Sequence, residues 1–141
     1  METITLAVLG LNQGAKAARD AAASDRFDLA AVAGFGPQAE ALAAELDVAL
    51  YEDYRTLLDS VELDAVVIAL PNGLHWPAVE AALAAGVKNL LVEKPIADTE
   101  EDACKIIDAC DRAGAVLLVG HQRRSSATML FLKKFIEDGN L

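Results

Sequence analysis

An α/β fold, a doubly wound parallel sheet of about six strands with helices on both faces, is the architecture this sequence predicts. Three observations predict it. Six short apolar runs alternate with stretches of helical periodicity, which is the pattern of repeated βα units. Runs such as VVIAL and VLLV are apolar without alternation, as strands covered on both faces are. Glycine or proline punctuates the joints between strand and helix.

The first strand, Ile4 to Leu9, runs into the turn VLGLNQGAK at residues 8–16. A dinucleotide-binding turn of the form G-x-G-x-x-G uses its second glycine where backbone approaches a pyrophosphate. Here Gly10 and Gly14 are present but Asn12 stands at the second position, as if one glycine had been dropped between Leu11 and Asn12. Gly10, Leu11, Asn12, Gln13 and Gly14 can still offer backbone N–H groups and a helix N-terminus to an anion. The helix expected from about Gly14 to Ala23 has an inner face of alanine (Ala17, Ala18, Ala21, Ala22), small enough to lie close to a sheet.

The second strand, Leu29 to Ala33, ends in Gly34-Phe35-Gly36. An acidic residue there would hold an adenosine ribose, and an arginine would take a 2′-phosphate. Neither is present, so the choice between NAD and NADP stays open. Pro37 opens a helix with Ala39, Leu42, Ala43 and Leu46 at i, i+3, i+4 and i+7. A third strand follows at Val48 to Tyr51 and a fourth at Ala65 to Leu70.

The fourth strand ends in Pro71-Asn72-Gly73-Leu74-His75. Asn72 and His75 are either caps of the next helix or groups facing a ligand. That helix carries Val79, Ala82 and Leu83 behind Pro77 and stops at Gly86. The fifth strand, Asn89 to Val92, delivers Glu93-Lys94-Pro95, with a lysine whose side chain can reach the cleft at that sheet edge. Thr99, with Asp102 three residues on, opens a helix through Ala103, Ile106, Ile107 and Cys110 that closes at Gly114. A sixth strand spans Ala115 to Val119. The last helix, within RSSATMLFLKKFIEDGNL, is apolar on more than one face and expects cover from another chain or from further polypeptide.

A net charge of −10 repels phosphate backbones, so no nucleic-acid partner is expected. No apolar run approaches the roughly 18 residues that span a membrane, and METITLAVLG has no basic leader, so a cytoplasmic location is expected. Cys104 and Cys110 point in different directions along one helix and read as reduced thiols. No metal-ligand spacing occurs, so no metal centre is expected.

PNGLH, then about twenty residues to VEKPIAD, then about twenty-five to GHQRR, resembles the N-terminal half of the Gfo/Idh/MocA family of sugar and polyol oxidoreductases. The resemblance covers essentially the whole chain. It implies one Rossmann-type NAD(P)-binding domain over residues 1–141, the family's C-terminal substrate and oligomerisation domain being absent. It implies NAD or NADP as cofactor, a sugar or polyol substrate, and a homo-oligomer in the full-length protein. Lys94 would be the catalytic lysine, beside the nicotinamide and the reacting carbon, with its bond to Pro95 often cis. Glu93, Asn72 and His75 would hold the nicotinamide ribose. Gln122 and Arg123 would line the cofactor edge, and Arg124 less directly. Pro71, Pro95 and Gly34 belong to the same cofactor-contacting strand ends. Two readings from other classes compete. One is a sensor or partner protein that keeps the dinucleotide but not catalysis; the other is a methyltransferase using S-adenosylmethionine, which gives EKP no role.

Overall fold

The computed structural model describes residues 3–141, and Met1 and Glu2, where the reading of the N-terminus begins, lie outside the described residues. Along them run β1 (Ile4–Leu9), α1 (Leu11–Ala22), β2 (Phe27–Ala33), α2 (Pro37–Leu46), β3 (Ala49–Tyr51), α3 (Tyr54–Ser60) and β4 (Ala65–Ile68). Then come α4 (His75–Ala84), β5 (Asn89–Glu93), α5 (Glu100–Ala113), β6 (Val116–Gly120) and α6 (Ala127–Glu137). Short 3-10 turns sit at Asn72–Leu74 and Gln122–Ser125.

All strand pairings are parallel, and the sheet order is β3-β2-β1-β4-β5-β6. The expected doubly wound α/β sheet is therefore the observed fold. Because the chain starts in the middle and winds outward in both directions, β1 and β4 flank the point where strand order reverses. A crevice opens there at the strands' carboxyl ends.

Alternation along the strands, reset in β2 by a bulge between Leu29 and Ala31, divides the core in two. Ala7, Leu9, Ala33, Val66, Ile68 and Leu90 face α3, α4 and α5, meeting Leu57, Val79 and Ile106, which are fully buried. Leu6, Val8, Leu29, Val32 and Val67 face α1 and α2 through Ala18, Ala21, Leu42 and Ala43. Each fully buried Leu or Ile side chain contributes roughly 1.5–3 kcal/mol. Val116 and Leu118 of β6 and most apolar side chains of α6, such as Leu130, Phe131 and Ile136, are exposed. Cys110 is buried and Cys104 exposed, and burial pushes the Cys110 thiol up from its ordinary value, with Asp111 adding to it.

Several boundaries differ from the expected ones. Helix α1 starts at Leu11 rather than Gly14, because Gly10, at φ 91°, makes the turn alone. Its buried face is Gly14, Ala18 and Ala21, whereas Ala22 is exposed. A Cβ on Gly14 would lie 2.7 Å from Val8 Cγ1 and 3.1 Å from Ala69 Cβ, so glycine is what lets α1 touch the sheet. Helix α3 was not expected. Its seven residues hold only one helical repeat of apolar positions, Tyr54, Leu57 and Leu58, and its start is set by Asp53, whose carboxylate accepts from Arg55 N at 2.9 Å.

Candidate functional site

The carboxyl ends of the strands carry two hollows. A cleft of about 530 Å³ is lined by Gly10, Leu11 and Asn12 after β1, and by Gly34, Phe35, Gln38 and Ala39 beyond β2. Glu52, Asp53 and Tyr54 after β3, and Leu70, Pro71 and Leu74 after β4, complete its wall. A second hollow of about 330 Å³ is lined by Lys94, Gly120, His121, Gln122, Arg123 and Arg124. Lys94 thus belongs to the second hollow, at the same sheet edge but not in the cleft of the glycine turn.

At the first cleft, Gly10 serves as the N-cap of α1 with no side-chain cap. The first N–H groups of the helix are therefore free for an anion, as at many phosphate-binding helix ends. A Cβ on Gly10 would stand 2.5 Å from the Ala69 carbonyl oxygen and 2.8 Å from Leu70 N. This cradle exists only because the side chain is absent. Gly14 is buried behind it as a packing residue, and Gln13 is exposed and outside the lining.

The departure in the turn and the missing acid after β2 meet in space. A Cβ on Gly34 would meet Leu11 Cδ1 at 2.9 Å and Leu11 Cγ at 3.0 Å. Leu11, second residue of the shortened turn, occupies the space an acidic residue at the end of β2 would need. Among the described residues no lysine, arginine or histidine lines this cleft, whereas Glu52 and Asp53 do. Tyr54 is 7% exposed and its hydroxyl has no hydrogen-bond partner among the described residues. Burial raises its phenol above the ordinary value, opposed by Arg55, whose guanidinium carbon lies 4.9 Å from the ring centroid, and reinforced by Asp53.

Between the hollows, side chains tie the strand ends together. His75 is fully buried. Its Nδ1 lies 3.0 Å from the Pro95 carbonyl oxygen and 3.2 Å from that of Ile96, and its Nε2 lies 2.9 Å from that of Leu70. With acceptors on both sides, the ring donates from whichever nitrogen carries hydrogen. It therefore clamps the end of β4 to the EKP segment and offers no surface to either hollow. Asn72 Nδ2 donates to Asp98 Oδ1 at 3.0 Å, making a second tie between the same two segments.

Glu93 is half-buried. It accepts from Gln122 Nε2 at 2.6 Å and from Lys94 N at 3.2 Å, joining the ends of β5 and β6. A Cβ on Gly120 would lie 2.9 Å from Glu93 Oε2, so Gly120 gives that carboxylate its place. The Lys94–Pro95 peptide bond is cis. Sequence reasoning missed Gly120, His121, Asp98 and the β3 end. The visible traces of these were the glycine and histidine of GHQRR and the acid that ends VEKPIAD.

The His75 clamp has a measurable worth. His75→Leu keeps the volume but leaves the facing carbonyls without a donor, so a loss of about 2–3 kcal/mol is expected. Urea denaturation of the two proteins checks it; an unchanged midpoint would mean the ring contributes only bulk.

Among described residues no helix is long and apolar enough to cross a membrane. A family model described as "Oxidoreductase family, NAD-binding Rossmann fold" matches residues 4–121. The chain is 34% identical over 100 residues to 2,7-anhydro-N-acetylneuraminate hydratase of Mediterraneibacter gnavus, covering 71% of this chain and 26% of that protein. It is 36% identical over 107 residues to D-xylose 1-dehydrogenase (NADP(+)) 2 of Haloferax volcanii, covering 74% of this chain and 33% of that one. The crystal structure of scyllo-inositol dehydrogenase from Lactobacillus casei with bound NAD(H) and scyllo-inositol superposes with a TM-score of 0.89 at 26% identity, covering 99% of this chain and 42% of that chain. The matched region thus spans between about a quarter and two fifths of each of these relatives.

Proposed function

The chain belongs to the Gfo/Idh/MocA oxidoreductase family, and on that premise we propose that it is the cofactor-binding domain of an NAD(P)-dependent dehydrogenase. The dehydrogenase would move hydride between the nicotinamide and a hydroxyl or carbonyl of a sugar-like or polyol substrate. One observation carries the reading: the uncapped start of α1 and the lysine of EKP stand on β1 and β5, the two neighbours of β4, at one edge of the sheet. An anion-binding end and a cation that can polarise an oxygen are thereby set one strand apart from each other.

The residues fit a dinucleotide. Backbone N–H groups of Leu11, Asn12 and Gln13 would hold the pyrophosphate, with Gly10 keeping side-chain atoms out of the way. Pro71 and Asn72 would border the middle of the cofactor. Glu93, Gln122 and Arg123 would line the nicotinamide end, with Pro95 shaping the backbone and His75 holding it in place. The cofactor, when bound, supplies or accepts the hydride. Lys94 would donate a hydrogen bond to the reacting oxygen, stabilising the negative charge that develops on a carbonyl as it is reduced. Substrate contacts and the acid/base group would come from a second domain of the complete protein. That protein would work in the cytoplasm and assemble as a homo-oligomer, in keeping with unpaired cysteines and the exposed apolar face of α6.

Titration of the 141-residue chain with NADH, NADPH and S-adenosylmethionine under identical conditions tests the reading. Saturable binding of a nicotinamide dinucleotide, and none of S-adenosylmethionine, is expected. Lack of binding by both dinucleotides would sink it.

A further inference from the structure

The cleft that would receive the adenosine end lacks the acid usually found after β2, yet it is not without acids. Ala33 pairs with Tyr51, and Gly34 N donates to the Tyr51 carbonyl at 2.9 Å. Glu52, the next residue, therefore stands one strand over from Gly34, about 4.8 Å in sheet spacing. It lines the cleft, is exposed, and has no ion-pair or hydrogen-bond partner among the described residues. Asp53 beside it has its carboxylate engaged at the start of α3. Glu52 is thus the free carboxylate of the cleft.

From this placement we infer that Glu52 takes over the task of the missing β2 acid: it binds the adenosine ribose hydroxyls and excludes a 2′-phosphate, so that the domain selects NAD over NADP. The inference rests on the nucleotide reading proposed above and sharpens it. Two further features agree with it. A Cβ at Gly34 would press on Leu11 Cδ1 and Cγ at 2.9 and 3.0 Å, so an acid there would have to displace Leu11, whereas Glu52 reaches the cleft from the neighbouring strand. Phe35, 84% exposed on the cleft wall, offers a flat apolar face at the position after Gly34, where an arginine would favour a phosphate. A 2′-phosphate would enter a cleft that, among the described residues, is lined by two carboxylates and no cation, whereas a ribose diol can donate to Glu52.

Binding of NADH, NADPH, ADP-ribose and 2′-phospho-ADP-ribose to the full chain and to E52Q, at low and moderate salt, tests this. NADH is expected to bind about tenfold or more tightly than NADPH at low salt, the scale of one added like-charge contact near a protein surface. The ratio should shrink as salt screens it. E52Q should raise NADPH affinity several-fold, lower NADH affinity several-fold, and do the same to the two ADP-ribose compounds, which lack nicotinamide. The far-ultraviolet circular dichroism should not change, since Glu52 is exposed and unpaired. Equal affinities in the parent chain, or a NADH to NADPH ratio unmoved by E52Q, would overturn the inference alone. Failure of all four compounds to bind the parent chain would overturn the nucleotide reading and this inference with it.

Discussion

Lys94→Ala, assayed in the complete protein whose dehydrogenase activity is proposed above, is expected to lower kcat by about a hundredfold or more while leaving the Kd for NADH within about threefold. The size follows from the role proposed for the ammonium: a preorganised donor at a developing oxyanion is worth about 10²–10³ in rate. The split between kcat and cofactor binding follows from position. Lys94 lies in the smaller hollow with Gly120 to Arg124, whereas the glycine turn and the wall proposed for the adenosine half line the larger one. No ion pair holds the Lys94 ammonium among the described residues, so its removal strands no buried partner and the fold should be unaffected. Lys94→Arg keeps charge but changes shape, and should recover little turnover. Steady-state kinetics with NADH fluorescence titration separates these effects. A kcat within tenfold of the parent would remove Lys94 from the chemistry.

Gly10→Ala should be the most damaging single-methyl addition at the site. Two costs add there. The residue is held at φ 91°, where an L side chain is strained, and the new Cβ would be driven to 2.5 Å from the Ala69 carbonyl oxygen and 2.7 Å from its carbon. Those atoms are backbone at the end of β4 and cannot swing aside as a side chain can. Backbone strain and overpacking each cost about 1–3 kcal/mol, so a combined loss of about 3 kcal/mol or more is expected. NADH affinity should fall by more than tenfold, because relief requires β1 and β4 to part at the crevice itself. Gly114→Ala is the control. Gly114 also has positive φ, 62°, but a Cβ there meets nothing within 4 Å, and about 1 kcal/mol is expected. Urea midpoints and NADH titrations that match for the two variants would show that strain, not the close approach, sets the cost.

The fold was legible because its signals are local: apolar runs for the strands, and Pro37, Thr99 and Gly114 as starts and stops for helices, each of which sits at such a boundary. The same holds for the residues at strand ends, since PNGLH and EKP stand out by their chemistry. What stayed hidden depends on register between distant segments. That Leu11 crowds any side chain at Gly34 appears only once β1 and β2 lie side by side. Gly120 looked like an ordinary strand end, and its purpose appears only with the Glu93 carboxylate lying against it. The end of β3 escaped notice for the same reason: Glu52 reads as a surface acid until Tyr51 is paired with Ala33. The chain neighbours of a residue announce its conformation, but strand neighbours decide its company.

The His75 ring, packed between the carbonyls of Leu70, Pro95 and Ile96, has a consequence for motion. Together with the Asn72–Asp98 bond, it joins two loops from different strands into one cooperative unit. Neither can open without breaking contacts held by the other, so their local unfolding is a single event whose free energy exceeds that of a free loop. The backbone that carries Lys94 and the segment that carries Asn72 thus keep a constant separation through thermal fluctuation. A ligand spanning both would meet a surface already arranged and would lose less conformational entropy on binding.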